Sequence, residues 1–239
     1  MMKLLRLILI TLVAAAGITP AAARLNDKVL NRPYADMRRW HLGFSVGIHT
    51  EDLQFTHNGF VTEDGQTWFM EQPAFSPGFC VNGLIDLRLN NYFNVRFSPG
   101  MYFGNREVTM RNTSGTEKEK VNLKSTFVVL PVDLKFSAVR LHNVRPYVTA
   151  GVMPAFDVGK KRRDPLQLTN SDVYLTVGFG LDIYLPYFKL IPELKFCFGL
   201  ADVLNHDRPD LADDPGMLKY TQSLKKATSQ MVVLTFYFE

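Results

Sequence analysis

Eight ionisable residues, Asp86, Arg88, Arg96, Asp133, Lys135, Asp182, Glu193 and Lys195, sit at alternate positions inside otherwise apolar stretches. Acids and bases in near balance allow two kinds of chemistry. They could line a conducting or peptide-gripping pore, or they could neutralise one another as a plug, because unpaired buried charge is costly. His41 and His49 lie four strand periods apart in phase with them, while His57, His142 and His206 fall between apolar segments. No HxxxH, no CxxC and no carboxylate pair with metal spacing occurs, so neither a metal nor a cofactor is expected. A lipid hydrolase or acyltransferase could combine His57 or His206 with Asp64, Asp207 or Asp210. Nothing in their spacing makes a nucleophile–base pair, and no catalytic residue is expected.

Lys160, Lys161, Arg162 and Arg163 form a basic run that could meet lipid phosphates or an acidic partner, or simply be a solvated loop tip. Cys80 and Cys197 are read as small inward fillers on non-neighbouring strands rather than a disulfide. Formal charge is +4 and falls to +2 without Lys3 and Arg6, too little to imply nucleic acid, and no phosphate loop or nucleotide fingerprint is present.

The elements that must position these residues are strands. In "WHLGFSVGIHT" (40–50), Trp40, Leu42, Phe44, Val46 and Ile48 alternate with His41, Gly43, Ser45, Gly47 and His49. The same period of two recurs through 79–89, 93–106, 129–138, 145–157, 171–184, 188–202 and 231–239. Segments of about ten residues suit tilted membrane strands. Connections at 90–91, 139–144 and 186–187 are short, whereas 53–74, 107–121, 158–170 and 203–226 are longer and polar. That parity matches an outer-membrane barrel with periplasmic termini.

Ahead of the strands, "MMKLLR" followed by "LILITLVAAAGI" and "TPAAA" has the layout of a secretory signal peptide at 1–23. Residues 24–39 form a polar, basic periplasmic segment that could dock a partner or act as a disordered tether. The barrel is expected to occupy 40–239.

Alternation alone does not say which face meets lipid, because soluble barrels alternate too. Volume decides. An eight-stranded ring barely holds its own side chains and cannot enclose the large apolar set with its many Phe residues. The other face is rich in Gly, Ser and Thr, which suits a crowded lumen. The expected fold is therefore all-β, an eight-stranded antiparallel up-and-down transmembrane β-barrel of the outer-membrane type. The eight inward charges are then a self-neutralising plug. Pro99, Pro131, Pro154 and Pro192 fall inside these strands, so bulges or register breaks are expected near them.

The stretch "SDVYLTVGFGLDIYLPYFKLIPELKFCFGLADVL" (171–204), with "LPVDLKFSAVRLHNVRPYVTAGVMPAFD" (130–157) before it, resembles the PorT family. "YLPYFKLIPELKFCFG" is its most specific piece, because alternation does not dictate those particular residues. The resemblance implies a non-enzymatic bacterial outer-membrane barrel required by the type IX secretion system. It would act through outer-membrane lipid and other secretion proteins in the outer membrane or periplasm. A structural or adhesive barrel without an export role is the alternative.

Overall fold

Strand formation follows from residue type: β-branched and aromatic side chains at every second position favour an extended, half-buried backbone. The computed structural model describes residues 29–57, 68–71, 77–112, 118–159, 169–204 and 224–239. The expected signal peptide lies outside them. Eleven strand segments form: β1 (Trp40–His57), β2 (Trp68–Glu71), β3 (Pro77–Arg88), β4 (Phe93–Phe97), β5 (Gly100–Asn112), β6 (Lys118–Val129), β7 (Val132–Ser137), β8 (Val144–Asp157), β9 (Ser171–Tyr184), β10 (Lys189–Gly199) and β11 (Leu224–Phe238).

Every pairing is antiparallel, and the ring closes because β1 pairs with both β3 and β11 while β8 pairs with β9. Closure leaves no free edge at the level of the ring, as hydrocarbon surroundings demand. The expected eight strands appear as eleven segments. Two staves of the ring are each split in two, β4 from β5 at Ser98–Pro99 and β6 from β7 at Leu130–Pro131. The short β2 adds to β5 beyond the ring. Joined end to end, the split segments leave eight staves.

The prolines explain the splits, but not by the expected register breaks. Ile85 pairs with Phe97 below Pro99 and Asn82 pairs with Gly100 above it, at one constant offset. The same constancy holds across Pro131 and around Pro154 and Pro192. Among the described ladders the register shifts between Thr56 and His57, far from any proline. What each ring nitrogen removes is one returning hydrogen bond. Gly83 donates to the Pro99 carbonyl at 2.8 Å, Ser98 to that of Pro131 at 3.2 Å, and Leu130 to that of Pro154 at 3.0 Å. None of the three prolines has an N–H to give back. Ladder cooperativity on either side holds the register through the gap.

Burial alternates along every stave. Phe44 is 57% exposed and Phe179 46%, while the inward-facing Ser45 and Thr176 on the same strands are 0% exposed. Phe97 and Phe196 are half-buried on the same outer face, Phe196 against Phe179 with ring centroids 6.5 Å apart. The apolar band therefore points outward. Both ends of the ring's chain and the short turns at 89–92, 138–143 and 185–188 lie at one end, called here the terminal end.

Candidate functional site

A ring this narrow brings inward side chains from opposite staves into contact, so what fills it must be mutually satisfying. Arg96 of β4 is 0% exposed and lies between two acids. Its Nη1 donates to Glu193 Oε2 of β10 at 2.6 Å, and its Nε to Asp86 Oδ2 of β3 at 3.3 Å. Lys195 of β10 reaches Asp133 of β7 at 2.5 Å and Glu193 Oε1 at 3.3 Å. The remaining oxygen of Asp133 accepts from the Thr176 hydroxyl at 2.7 Å. Lys135 donates to both oxygens of Asp182 at 2.8 Å. Asp86 also accepts from Asn94 at 2.5 Å.

Tyrosines tie these pairs together. The Tyr147 hydroxyl donates to Glu193 at 2.7 Å, and its ring lies under Arg96 at 5.2 Å and Lys135 at 4.1 Å. Tyr237 also presents its ring to Arg96, at 4.9 Å. Space for Tyr147 comes from Gly180, its cross-strand partner. A Cβ there would stand 2.4 Å from the Tyr147 hydroxyl and 2.6 Å from the Pro192 carbonyl oxygen.

Nearer the terminal end, Glu239 accepts from His41 Nδ1 at 2.6 Å and from Lys189 Nζ at 2.5 Å. Burial alone would raise the Glu239 carboxyl, but the His41 hydrogen bond and the Lys189 charge hold it down at about 2. A strap then crosses the mouth: Asn31–Arg38, containing a short 3-10 helix at Ala35–Met37. Arg32 adopts a left-handed backbone (φ 48°) and donates from Nη1 to the Glu239 carbonyl at 3.1 Å. Asn31 donates to the Tyr184 carbonyl at 3.0 Å, and Asp36 accepts from the Tyr184 hydroxyl. Arg140 and Arg145 flank Asp36 at 3.6 and 3.7 Å, and Arg140 also caps the strap's carbonyls at Asn31 and Arg32. Residues 31–38 are therefore bound to the barrel, which neither the tether nor the partner-docking reading of this segment anticipates.

Toward the opposite end Cys80, Tyr102, Phe127, Val129, Met153, Ala155, Tyr174, Cys197, Met231 and Val233 pack into one apolar cluster, with His49 stacked on Tyr102. Both cysteines are free and buried there. Beyond it lies a cavity of about 20 Å³ lined by Glu51, Asp157, Asp172 and Ser229 among others, room for about one water. The lumen thus holds an apolar cluster with buried polar groups beyond it at one end, an ionic network in the middle and the strap at the other end.

Of the eight sequence-predicted charges, seven enter this interior. Arg88 does not, and its placement is corrected: at the last rung of β3 it turns to the rim, donating to the Met37 and Asn90 carbonyls at 3.3 Å each and to Asn91 Oδ1. There the strand phase no longer governs the side chain, because the ring has ended and turn oxygens are closer. Sequence reasoning missed Lys189, Glu239 and His41 as charge partners, and Tyr147 and Thr176 as the groups that finish the hydrogen bonding. Lys189 shares the inward phase of Glu193 and Lys195, and that signal could have found it. Lys160, Lys161, Arg162 and Arg163 lie outside the described residues, as do Asp64, His206, Asp207, Asp210 and the side chain of His57.

In sum charge, four cations (Arg96, Lys135, Lys189, Lys195) meet five carboxylates (Asp86, Asp133, Asp182, Glu193, Glu239), with His41 on the fifth. Such a set can hold a barrel shut. A closed antiparallel ring with an apolar outer band and a polar, filled interior is an outer-membrane β-barrel of the small kind. The chain belongs to the family described as outer membrane protein beta-barrel domain, matched over residues 26–205, and its place is the bacterial outer membrane. No curated protein matches it.

Among solved structures it is similar to the outer membrane protein OprG from Pseudomonas aeruginosa, with TM-score 0.46 and 13% identity over 82% of this chain and 93% of that one. It is similar to the N-terminal β-barrel domain of Pseudomonas aeruginosa OprF, with TM-score 0.36 and 13% identity over 82% of this chain and 99% of that one. It is also similar to Ail, the attachment invasion locus protein of Yersinia pestis, with TM-score 0.36 and 12% identity over 84% of this chain and 99% of that one.

Proposed function

We propose that this barrel is a non-enzymatic component required for protein export through the type IX secretion system, acting through partner proteins rather than as the conduit. The export role rests on the resemblance of 130–157 and 171–204 to the PorT family. The accessory character rests on one observation, the filled lumen. Arg96, Glu193, Lys195 and Asp133 interlock at its centre and are all 3% exposed or less. A folded cargo cannot pass such an interior. Partners must therefore meet the rims, the loops or the lipid-facing wall. In this reading residues 1–23 direct export of the chain, both termini face the periplasm, and the strap belongs to the periplasmic mouth.

Clean deletion tests the role. Type IX cargo should disappear from the medium and accumulate in the periplasm, and a plasmid copy should restore it. Unchanged cargo export with a fragile envelope would overturn the proposal in favour of a structural barrel. Purified barrel in liposomes should pass neither protein nor small sugars, and passage of protein cargo would remove the accessory role.

A further inference from the structure

At the terminal rim the lipid-facing wall ends in a groove of about 420 Å³ between the strap and β3, lined by Met37, Arg39, Leu87, Arg88, Leu89 and Asn90. Among the described residues neither of its two cations meets a carboxylate. The Arg88 guanidinium is held by the carbonyls of Met37 and Asn90 and the side-chain oxygen of Asn91, all neutral acceptors. Arg39 is exposed, and its backbone carbonyl is anchored by the Arg88 N–H at 2.9 Å. Among the described residues no carboxylate forms an ion pair with either.

The flank is apolar. Met37 is 68% exposed, Leu89 57% and Trp40 58%. Trp40 is the direct cross-strand partner of Leu87 and leads down into the outer apolar band through Leu42. The Arg88 guanidinium held in place and the exposed Arg39 beside it, above a greasy wall at the level where tryptophan marks a membrane interface, match a molecule with an anionic head and an acyl tail.

We propose that this groove is a binding site for an anionic glycerophospholipid. Its phosphate would lie between Arg39 and Arg88 and its first acyl chain would run over Leu87 and Trp40. The orientation proposed above makes this a lipid of the periplasmic leaflet. The binding itself does not require the export role, so the two proposals fail separately.

The test uses the purified full chain in detergent, supplied with phosphatidylglycerol or phosphatidylcholine and read by native mass spectrometry. Wild type should retain phosphatidylglycerol in preference to phosphatidylcholine. Removing both charges in Arg39→Gln/Arg88→Gln should lower its retention roughly 30-fold, since each juxtamembrane cation contributes a factor of about five toward an anionic lipid. Because Arg88 also steadies the strap, Arg39→Gln alone is the second arm and should lower retention about fivefold with folding, read from heat-modifiable mobility, unchanged. Equal retention of the two lipids by wild type, or undiminished retention by folded Arg39→Gln, would overturn the site.

Discussion

Replacing Arg96 by Met removes the cation that two buried acids share while keeping an unbranched side chain of similar reach. Glu193 would keep Lys195 at 3.3 Å and the Tyr147 hydroxyl at 2.7 Å. Asp86, at 3% exposure, would keep only the Asn94 amide at 2.5 Å. Breaking a buried pair from one side leaves uncompensated charge and costs about 3–5 kcal/mol, some two to three and a half orders of magnitude in the folding equilibrium. The contacts of the guanidinium with the rings of Tyr147 and Tyr237 add a smaller loss, on the order of 1 kcal/mol. If that reasoning is right, the loss belongs to the stranded acids rather than to Arg96 itself. Arg96→Met/Asp86→Asn/Glu193→Gln should then recover to within about 1–2 kcal/mol of wild type.

The measurement is equilibrium unfolding in guanidinium chloride of protein folded into phospholipid vesicles. Tryptophan fluorescence reports Trp40 and Trp68, approached from both directions to establish reversibility. A loss below about 1 kcal/mol in Arg96→Met would show that water or a shifted lysine already compensates these acids. A triple variant as unstable as the single one would show that Arg96 acts by packing rather than by charge.

Three further outcomes concern the proline gap, the Tyr147 pocket and the terminal carboxylate. Pro154→Val should place an N–H opposite the Leu130 carbonyl; the new bond contributes about 0.5–1.5 kcal/mol against about 0.4–1 kcal/mol of chain entropy returned to the unfolded state. The expected result is a slowly exchanging amide at position 154 with stability unchanged or slightly raised, and a loss above about 1 kcal/mol would contradict the one-way pairing. Gly180→Ala should destabilise by about 1–3 kcal/mol through its contact with the Tyr147 hydroxyl and ring, and in a Tyr147→Leu background, where both are gone, the same substitution should cost less; an equal cost there would place the clash on the Pro192 carbonyl instead. Glu239 is held at about 2 in the folded protein against an ordinary 4.5. Its contribution, about 3 kcal/mol, is therefore complete above pH 4.5 and is lost as pH falls toward 2. Unfolding midpoints measured from pH 6 to 2 should fall more steeply in wild type than in Glu239→Gln, and parallel curves would count against the depressed value.

The wall of the barrel was legible because a period of two is imposed on every residue of a stave, so Phe44, Val132, Phe179 and Val232 announce their face locally. The charges Arg96, Asp133 and Glu193 were legible for the same reason. Arg88 was not, since periodicity stops constraining a side chain at the last rung of a strand. The strap was illegible for another reason. Asn31 and Asp36 find their partners at Asn143, Tyr184, Arg140 and Arg145, more than a hundred residues away, and no local pattern encodes such contacts. The prolines were read with the right chemistry and the wrong consequence. One absent N–H weakens a rung by about 1 kcal/mol, whereas shifting a stave would undo many rungs at once.

That comparison bears on why the interior is ionic at all. An apolar filling would pack a narrow ring equally well, and buried ion pairs are seldom more stabilising than the hydrophobic residues that could replace them. With apolar residues on both faces, however, a stave could slip by one residue, exchange its faces and meet little resistance. Here a slip of β10 would carry Glu193 and Lys195 into the bilayer, and a slip of β7 would carry Asp133 and Lys135. Each cation exposed to lipid near mid-membrane costs about 2–4 kcal/mol in addition to its lost partner. The splits at Pro99 and Pro131 make such protection more necessary, since the staves on either side of them are joined by fewer hydrogen bonds. Arg96 on β4 and Asp133 with Lys135 on β7 stand on the short segments these splits create, each bonded to residues of staves other than its own. The ion pairs thus hold in register the segments that proline has loosened.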